Sequence, residues 1–196
     1  MIVGLLLAAG GARRFGSQKL VARVNGEPLV RSAAATLAAA TDALVVVVGC
    51  EAEQVSAAVA DLATRIVTNE GWSEGLAASV RAGIATLGPA VEAIVIAVGD
   101  QPGLDRAVVE AVAARWRESG AAIVAARYRG VQGHPVLFAR SMFGELFELS
   151  GDRGAKPVIE RDSARVAYVD VDAPMPLDVD TVEDAEALGG DARAPR

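Results

Sequence analysis

Six stretches of this 196-residue chain carry residue types suited to gripping and transferring phosphate. In the first, an apolar run of strand length, Ile2 to Ala8, is cut by Gly10-Gly11 and followed by Arg13, Arg14, Gly16 and Lys19. A buried strand entering a glycine turn presents backbone N–H groups to an anion without side-chain obstruction, and the neighbouring cations suit polyphosphate. A strand, a surface turn and solvated basic residues give the blander reading of the same letters. The spacing is neither GxxxxGK[ST] nor GxGxxG, so the common P-loop and dinucleotide fingerprints do not apply.

The second stretch is Ala93-Ile-Val-Ile-Ala-Val followed by Gly99-Asp100-Gln101-Pro102. A carboxylate directly after a buried strand is rigidly held at the mouth of a sheet. Mg²⁺ is commonly bound through one or two such carboxylates plus substrate phosphates and water. The competing reading is an Asx-turn or helix cap before Pro102. In the third, Asn69 follows a strand, Gly75 opens a helix whose N-terminal amides are expected to face phosphate, and Ser79 lies one turn inside. The Asn69 amide offers donors and an acceptor to a base or ribose edge, or closes a structural turn. The fourth holds the chain's one histidine, His134, between Gly133 and Pro135. No second histidine or nearby cysteine joins it in a zinc site. The fifth is Gly151-Asp152-Arg153-Gly154-Ala155-Lys156, a polar turn or a second anion site. The sixth is Asp178-Val179-Asp180-Thr181-Val182-Glu183-Asp184. Its two leading carboxylates are two apart on an extended segment and leave the same face, while Thr181 with Asp184 reads as a capping-box variant.

The elements that must position these residues alternate as in a parallel α/β sheet. Strands are expected at 3–8, 44–48, 65–68, 93–98, 122–126, 135–138 and 166–169, and helices at 28–40, 52–63, 76–87, 105–119, 139–149, 155–161 and 182–188. Pro28 suits a first helical position. One domain is expected over 1–188, with a frayed tail over 189–196. Ligands of open α/β sheets sit outside the carboxyl ends of the strands, where four of the six stretches fall. Cys50 reads as a small buried hydrophobe and Trp116 as core.

Composition narrows the function. A formal charge of -6 argues against nucleic acid as a partner, and one cysteine rules out an intramolecular disulfide and suits a reducing cytoplasm. The apolar start lacks the positive flank of a signal peptide, and no apolar run approaches the ~18 residues of a membrane span.

Taken together, Leu7-Ala-Ala-Gly10-x-x-x-Arg14-Phe-Gly16-x-x-Lys19-Leu20 resembles the LAAGxSxRMGxxKL signature of the MobA-like nucleotidyltransferases, in the branch of molybdenum cofactor (molybdopterin) cytidylyltransferases. Ala12 and Phe15 stand where that pattern carries Ser and Met. The Gly-Asp-Gln-Pro, Asn-x-x-Trp-x-x-Gly, Gly-His-Pro, Gly-Asp-x-Gly-Ala-Lys and Asp-Val-Asp-Thr segments are similar to later motifs of the family. The resemblance implies a three-layer α/β/α Rossmann-like nucleotidyltransferase fold with a mostly parallel mixed sheet. It implies an Mg²⁺-dependent transfer of CMP from CTP to the phosphate of molybdopterin, with a molybdenum hydroxylase as a recipient of the product. Arg14, Lys19 and Asp100 would be catalytic. Leu7, Ala8, Ala9, Gly10, Gly11, Arg14, Lys19, Asn69 and Ser79 would bind the nucleotide, the backbone of 7–9 reading the base. His134, Gly133, Asp152 and Lys156 would meet the acceptor, and Asp100 with Asp178 or Asp180 would hold the metal, Asp178 being favoured. A methyl at Ala9 is expected to narrow the base pocket toward a pyrimidine. Rival readings are a GTP-dependent transferase, a transferase for another phosphorylated acceptor, a non-catalytic cofactor chaperone, and a nicotinamide-dependent oxidoreductase, the last disfavoured by the absence of GxGxxG.

Overall fold

Residues 1–11, 15 and 18–191 are described by the computed structural model. In chain order they form β1 (Ile2–Ala8), β2 (Arg23–Val24), β3 (Glu27–Pro28), α1 (Leu29–Ala40), β4 (Ala43–Val48), α2 (Ala52–Val59), β5 (Arg65–Thr68), α3 (Leu76–Ile84) and β6 (Ala93–Val98). There follow α4 (Arg106–Ser119), β7 (Ile123–Tyr128), β8 (Val131–Ala139), α5 (Phe143–Phe147), α6 (Lys156–Arg161), β9 (Val166–Val171), α7 (Val182–Ala187) and β10 (Gly190–Asp191).

Seven strands make one sheet in the order β5-β4-β1-β6-β8-β7-β9, in which β8 runs against its two neighbours and the other pairs are parallel. The central strands are apolar on both faces because both are covered. Leu6, Ala8, Val46, Val48, Val95 and Ala97 face a core closed by α1, α2 and α4 through Val30, Leu37, Val55 and Val112. The alternate residues Leu5, Leu7, Val45, Val47, Ile94 and Ile96 face a second core closed by α3, α5 and α6 through Val80, Phe143, Leu146 and Val158. The mostly parallel α/β/α architecture expected from the sequence is present.

Three differences from the sequence expectation bear on the site. Pro28 lies just before α1 and pairs, as part of β3, with Arg23 of β2 rather than opening the helix. Gly190–Asp191 continues that small sheet by pairing with β2, where a frayed tail was expected, while 192–196 lie outside the described residues. Around this sheet sits a third small core in which Phe15 packs with Val24, Leu29, Val179 and Ala185. Phe15, from the N-terminal loop, thus shares a core with Val179, which stands between Asp178 and Asp180. Burying each such side chain contributes roughly 1.5–3 kcal/mol, enough to fix one segment against the other. Among the described residues no helix is long and apolar enough to cross a membrane.

Candidate functional site

The parallel strands deliver their carboxyl ends to one edge of the sheet, and the loops there enclose a cavity of about 610 Å³. That volume lies within the range of small-molecule sites. It is lined by Gly10 and Gly11 after β1, Lys19, Trp72 to Leu76 after β5, Ser79 of α3, Gly151, Asp152 and Asp180. Gly10, Gly11, Lys19, Gly75, Ser79, Asp152 and Asp180 were singled out in the sequence; Trp72 was quoted there without a role.

Lys19 opens a 3-10 turn capped by the buried side chain of Gln18, which accepts from the Leu20 amide and donates to the Cys50 carbonyl. So held, its ammonium donates to Asp100 Oδ2 at 2.8 Å and to Asp180 Oδ1 at 2.9 Å. Burial disfavours the ammonium, but the Asp100 and Asp180 carboxylates outweigh that, and its pKa is raised above the usual 10.5. Lys19, which lines the cavity with Gly10 and Gly11, thus reaches the carboxylate after β6. Val179 is buried between Asp178 and Asp180, which are both exposed. Asp178 Oδ1 accepts from Gln101 Nε2 at 2.8 Å, so the two carboxylates are held by different neighbours. Asp180, the less favoured of the pair in the sequence, is the one that meets Asp100 across Lys19.

His134 was expected in a loop before a strand and instead lies within β8. Ala125 pairs with Val136 but Ala126 pairs with Gly133, leaving His134 and Pro135 unmatched in a bulge. Bulges of this kind re-aim a side chain. The pairing of β8 with β6 stops at Ile96 with Val136, so His134 lies past the last of those pairs. Burial pushes the His134 imidazole below its usual 6.5, opposed by the nearby carboxylates of Asp178 and Asp100. Gly133 beside it is spent on packing, since a β-carbon there would lie 2.7 Å from Met175 Sδ.

Several of the expected residues are engaged within the protein itself. Asn69 is 7% exposed and does not line the cavity; Nδ2 donates to Ser79 Oγ at 3.1 Å and Oδ1 accepts from the Gly71 amide, an Asx-turn that positions Ser79. The first amides of α3 are paired within the protein: Leu76 N donates to Asp152 Oδ1 at 3.3 Å and Ala77 N to the Gly151 carbonyl at 3.1 Å. Asp152 is therefore a helix cap at the cavity wall. Gly75, at φ 110°, permits this approach, because a β-carbon there would lie 2.6 Å from the Gly151 carbonyl oxygen. Lys156 is exposed, its ammonium 3.8 Å from Glu160, and lines no part of the cavity.

The side chains of Leu7, Ala8 and Ala9 are buried in the cores, and the Leu7 and Ala9 carbonyls accept from Gly99 and Cys50. The Ala9 methyl faces Gly49, so it does not narrow the cavity directly. Cys50 is half-buried rather than fully buried. Arg14, with Arg13 and Gly16, lies outside the described residues.

Sequence reasoning missed Phe15, Gln101 and Trp72. Phe15 and Gln101 are buried although each sits in a loop, and a loop residue carries no periodicity to reveal burial. Trp72 gave a stronger signal, an aromatic in a glycine-flanked turn directly after a strand.

The family model described as "MobA-like NTP transferase domain" matches residues 4–166. The chain is 32% identical over 193 residues to nicotine blue oxidoreductase of Paenarthrobacter nicotinovorans, covering 93% of both. Among solved structures it is similar to Rv0371c of Mycobacterium tuberculosis, at 34% identity and a TM-score of 0.82 over 95% of this chain and 96% of that one. A manganese complex of Rv0371c aligns at 31% identity and a TM-score of 0.77, covering 95% and 97%.

Proposed function

Because this chain belongs to the MobA-like NTP transferase family, we propose that it is a nucleotidyltransferase that moves CMP from CTP to the terminal phosphate of molybdopterin, releasing pyrophosphate. The observation that carries the reading is the bond from Lys19 to Asp100 at the wall of the cavity that Gly10 and Gly11 line. A phosphoryl-type displacement asks for positioning and charge neutralisation rather than a covalent intermediate. An oxygen of the acceptor phosphate bonds to the α-phosphorus of CTP, and the α–β bridging bond breaks with its electron pair leaving on pyrophosphate. The turn amides of Gly10 and Gly11, with Lys19 and Arg14, hold the triphosphate and stabilise the charge that gathers on the leaving group.

His134 contacts the acceptor. Its lowered pKa leaves the ring neutral near pH 7, so it offers one N–H to a phosphate oxygen. It need not act as a base, because a phosphate monoester with a second pKa near 6 is already anionic.

A divalent cation, Mg²⁺ in this reading, fits the residues present. The donors around Lys19 are carboxylate oxygens, the ligands a hard cation prefers, and they already surround a positive charge. Among the described residues no group of three or more His, Cys, Asp or Glu is gathered to hold a metal. Asp100 and Asp180 would therefore hold the ion together with phosphate and water. Once bound, it would supply Lewis-acid neutralisation of α-phosphate oxygens. The choice of CTP rests on the resemblance of the N-terminal signature to the cytidylyl branch, now that Ala9 is placed away from the cavity.

The test is pyrophosphate release from each of the four NTPs with Mg²⁺, with and without molybdopterin. Release with CTP that depends on molybdopterin supports the reading; release from GTP alone, or from none, overturns it. The relative named nicotine blue oxidoreductase favours a second reading, reduction on the same fold. Hydride transfer from NADH or NADPH to an added quinonoid two-electron acceptor, without any nucleotidyl transfer, would establish that alternative.

A further inference from the structure

The Lys19 ammonium occupies a position that two carboxylates from distant parts of the chain create together. Its side chain is 13% exposed, against 24% for Asp100 and 50% for Asp180, so the contact lies at the cavity wall rather than in open solvent. Gln18 and its bond to the Cys50 carbonyl fix the start of the Lys19 turn, and the shared core of Phe15 and Val179 brings Asp180 up to it. The two carboxylate oxygens can be no further apart than the sum of their 2.8 and 2.9 Å contacts to Nζ. A small side-chain adjustment brings such a pair to the span that one divalent ion bridges at ~2.0–2.6 Å from each oxygen. An ammonium and a divalent ion cannot share those oxygens, because their charges would stand within a few ångströms of each other.

We propose that Lys19 is the resident cation of the metal site: in the nucleotide-free protein its ammonium fills the position, and a divalent ion enters by displacing it. The released ammonium stays in the same cavity, beside Gly10 and Gly11, where a nucleoside triphosphate supplies the negative charge it has lost. Metal and nucleotide then bind in concert, each easing entry of the other, and the free protein holds metal weakly. This inference rests on the reading of Asp100 as a metal carboxylate.

The experiment is a titration with Mn²⁺ alone, without nucleotide, at fixed pH and ionic strength. Free aquo-Mn²⁺ is followed by electron paramagnetic resonance for the wild type, Lys19→Met, Lys19→Ala and Asp100→Asn, each checked for native circular dichroism. Both Lys19 variants are expected to bind Mn²⁺ at least about tenfold more tightly than the wild type, within the ordinary range of coupling between sites. Two lysine variants are used because a methionine side chain could fill the vacated space while alanine cannot. Equal or weaker binding by both overturns the inference. In that case, lost binding in Asp100→Asn leaves the metal role of Asp100 standing, whereas wild-type binding in Asp100→Asn removes that role as well.

Discussion

Gly11 rests on the indole of Trp72: a β-carbon at Gly11 would lie 3.1 Å from Cζ3 and 3.4 Å from Cη2 of that ring. The glycine turn after β1 therefore has its height above the sheet set by an aromatic side chain from the loop after β5. Gly49 completes the arrangement, since a β-carbon there would come within 2.6 Å of the Trp72 β-carbon. Gly11→Ala should lift the turn by a few tenths of an ångström and lower kcat/KM for the nucleotide by about tenfold or more, because small misplacements of positioning groups are costly. Trp72→Phe removes the ring atoms in question. The double variant should then lose less than the two single losses combined. Strict additivity in that cycle would show that the contact does not set the turn.

Asp100→Asn and Lys19→Ala should each reduce turnover by ~10²–10³, the usual loss on removing one charge-stabilising group. Both should remain folded, because neither side chain belongs to the apolar cores. Steady-state pyrophosphate release with matched circular dichroism checks this. Turnover like the wild type in either variant contradicts the assigned role.

Asp152, expected to meet the acceptor, takes the Leu76 amide as a partner. Loss of an N-terminal cap costs roughly 0.5–2 kcal/mol, with ~2–4 °C of melting temperature for each kcal/mol in a chain of this size. Asp152→Ala should melt lower by a few degrees, and Asp152→Asn, which can still cap, should recover most of that. Thermal unfolding followed by circular dichroism decides it: an unchanged midpoint in Asp152→Ala removes the capping role.

His134 gives the chain a predictable acid sensitivity. Its folded pKa lies below the usual 6.5, so as pH falls through 6.5 the unfolded chain takes up the proton first. The contribution of neutral His134 is complete above that value and declines as pH falls toward the folded pKa. Between about pH 7.5 and about pH 5, the wild type should lose more stability than His134→Gln, read from urea midpoints at each pH. Equal losses would show that His134 is as free to protonate in the fold as in the unfolded chain.

Much of the fold was legible because its signals are local. The Val/Ile/Leu runs at 44–48 and 94–98 predicted doubly covered strands, and both are buried on either face. The capping box at Thr181 and Asp184 was written in three consecutive spacings and is present. The short β2–β3–β10 sheet was not legible, because strands of two residues have no period to detect. The site was legible in its residue types and less so in their partners. Asn69 and Asp152 carry the polar groups a ligand would need, but backbone amides in need of acceptors claim them first: Gly71 in one case, Leu76 in the other. Nothing in the order of letters tells a ligand's hydrogen bond from one that closes the protein's own loop. Lys19, Asp100 and Asp180 differ because like and unlike charges from three distant segments must be reconciled in one place, and the fold does so.

The claim on which the rest depends is that one nucleoside triphosphate lies in the cavity, with its phosphates over Gly10 and Gly11 and its metal on Asp100. Anomalous diffraction from crystals grown with CTP and Mn²⁺ measures this most directly. The account predicts an anomalous peak within coordination distance of an Asp100 carboxylate oxygen, with phosphate density between that peak and the glycine turn. A peak remote from Asp100, or a nucleotide bound outside the cavity, would contradict it.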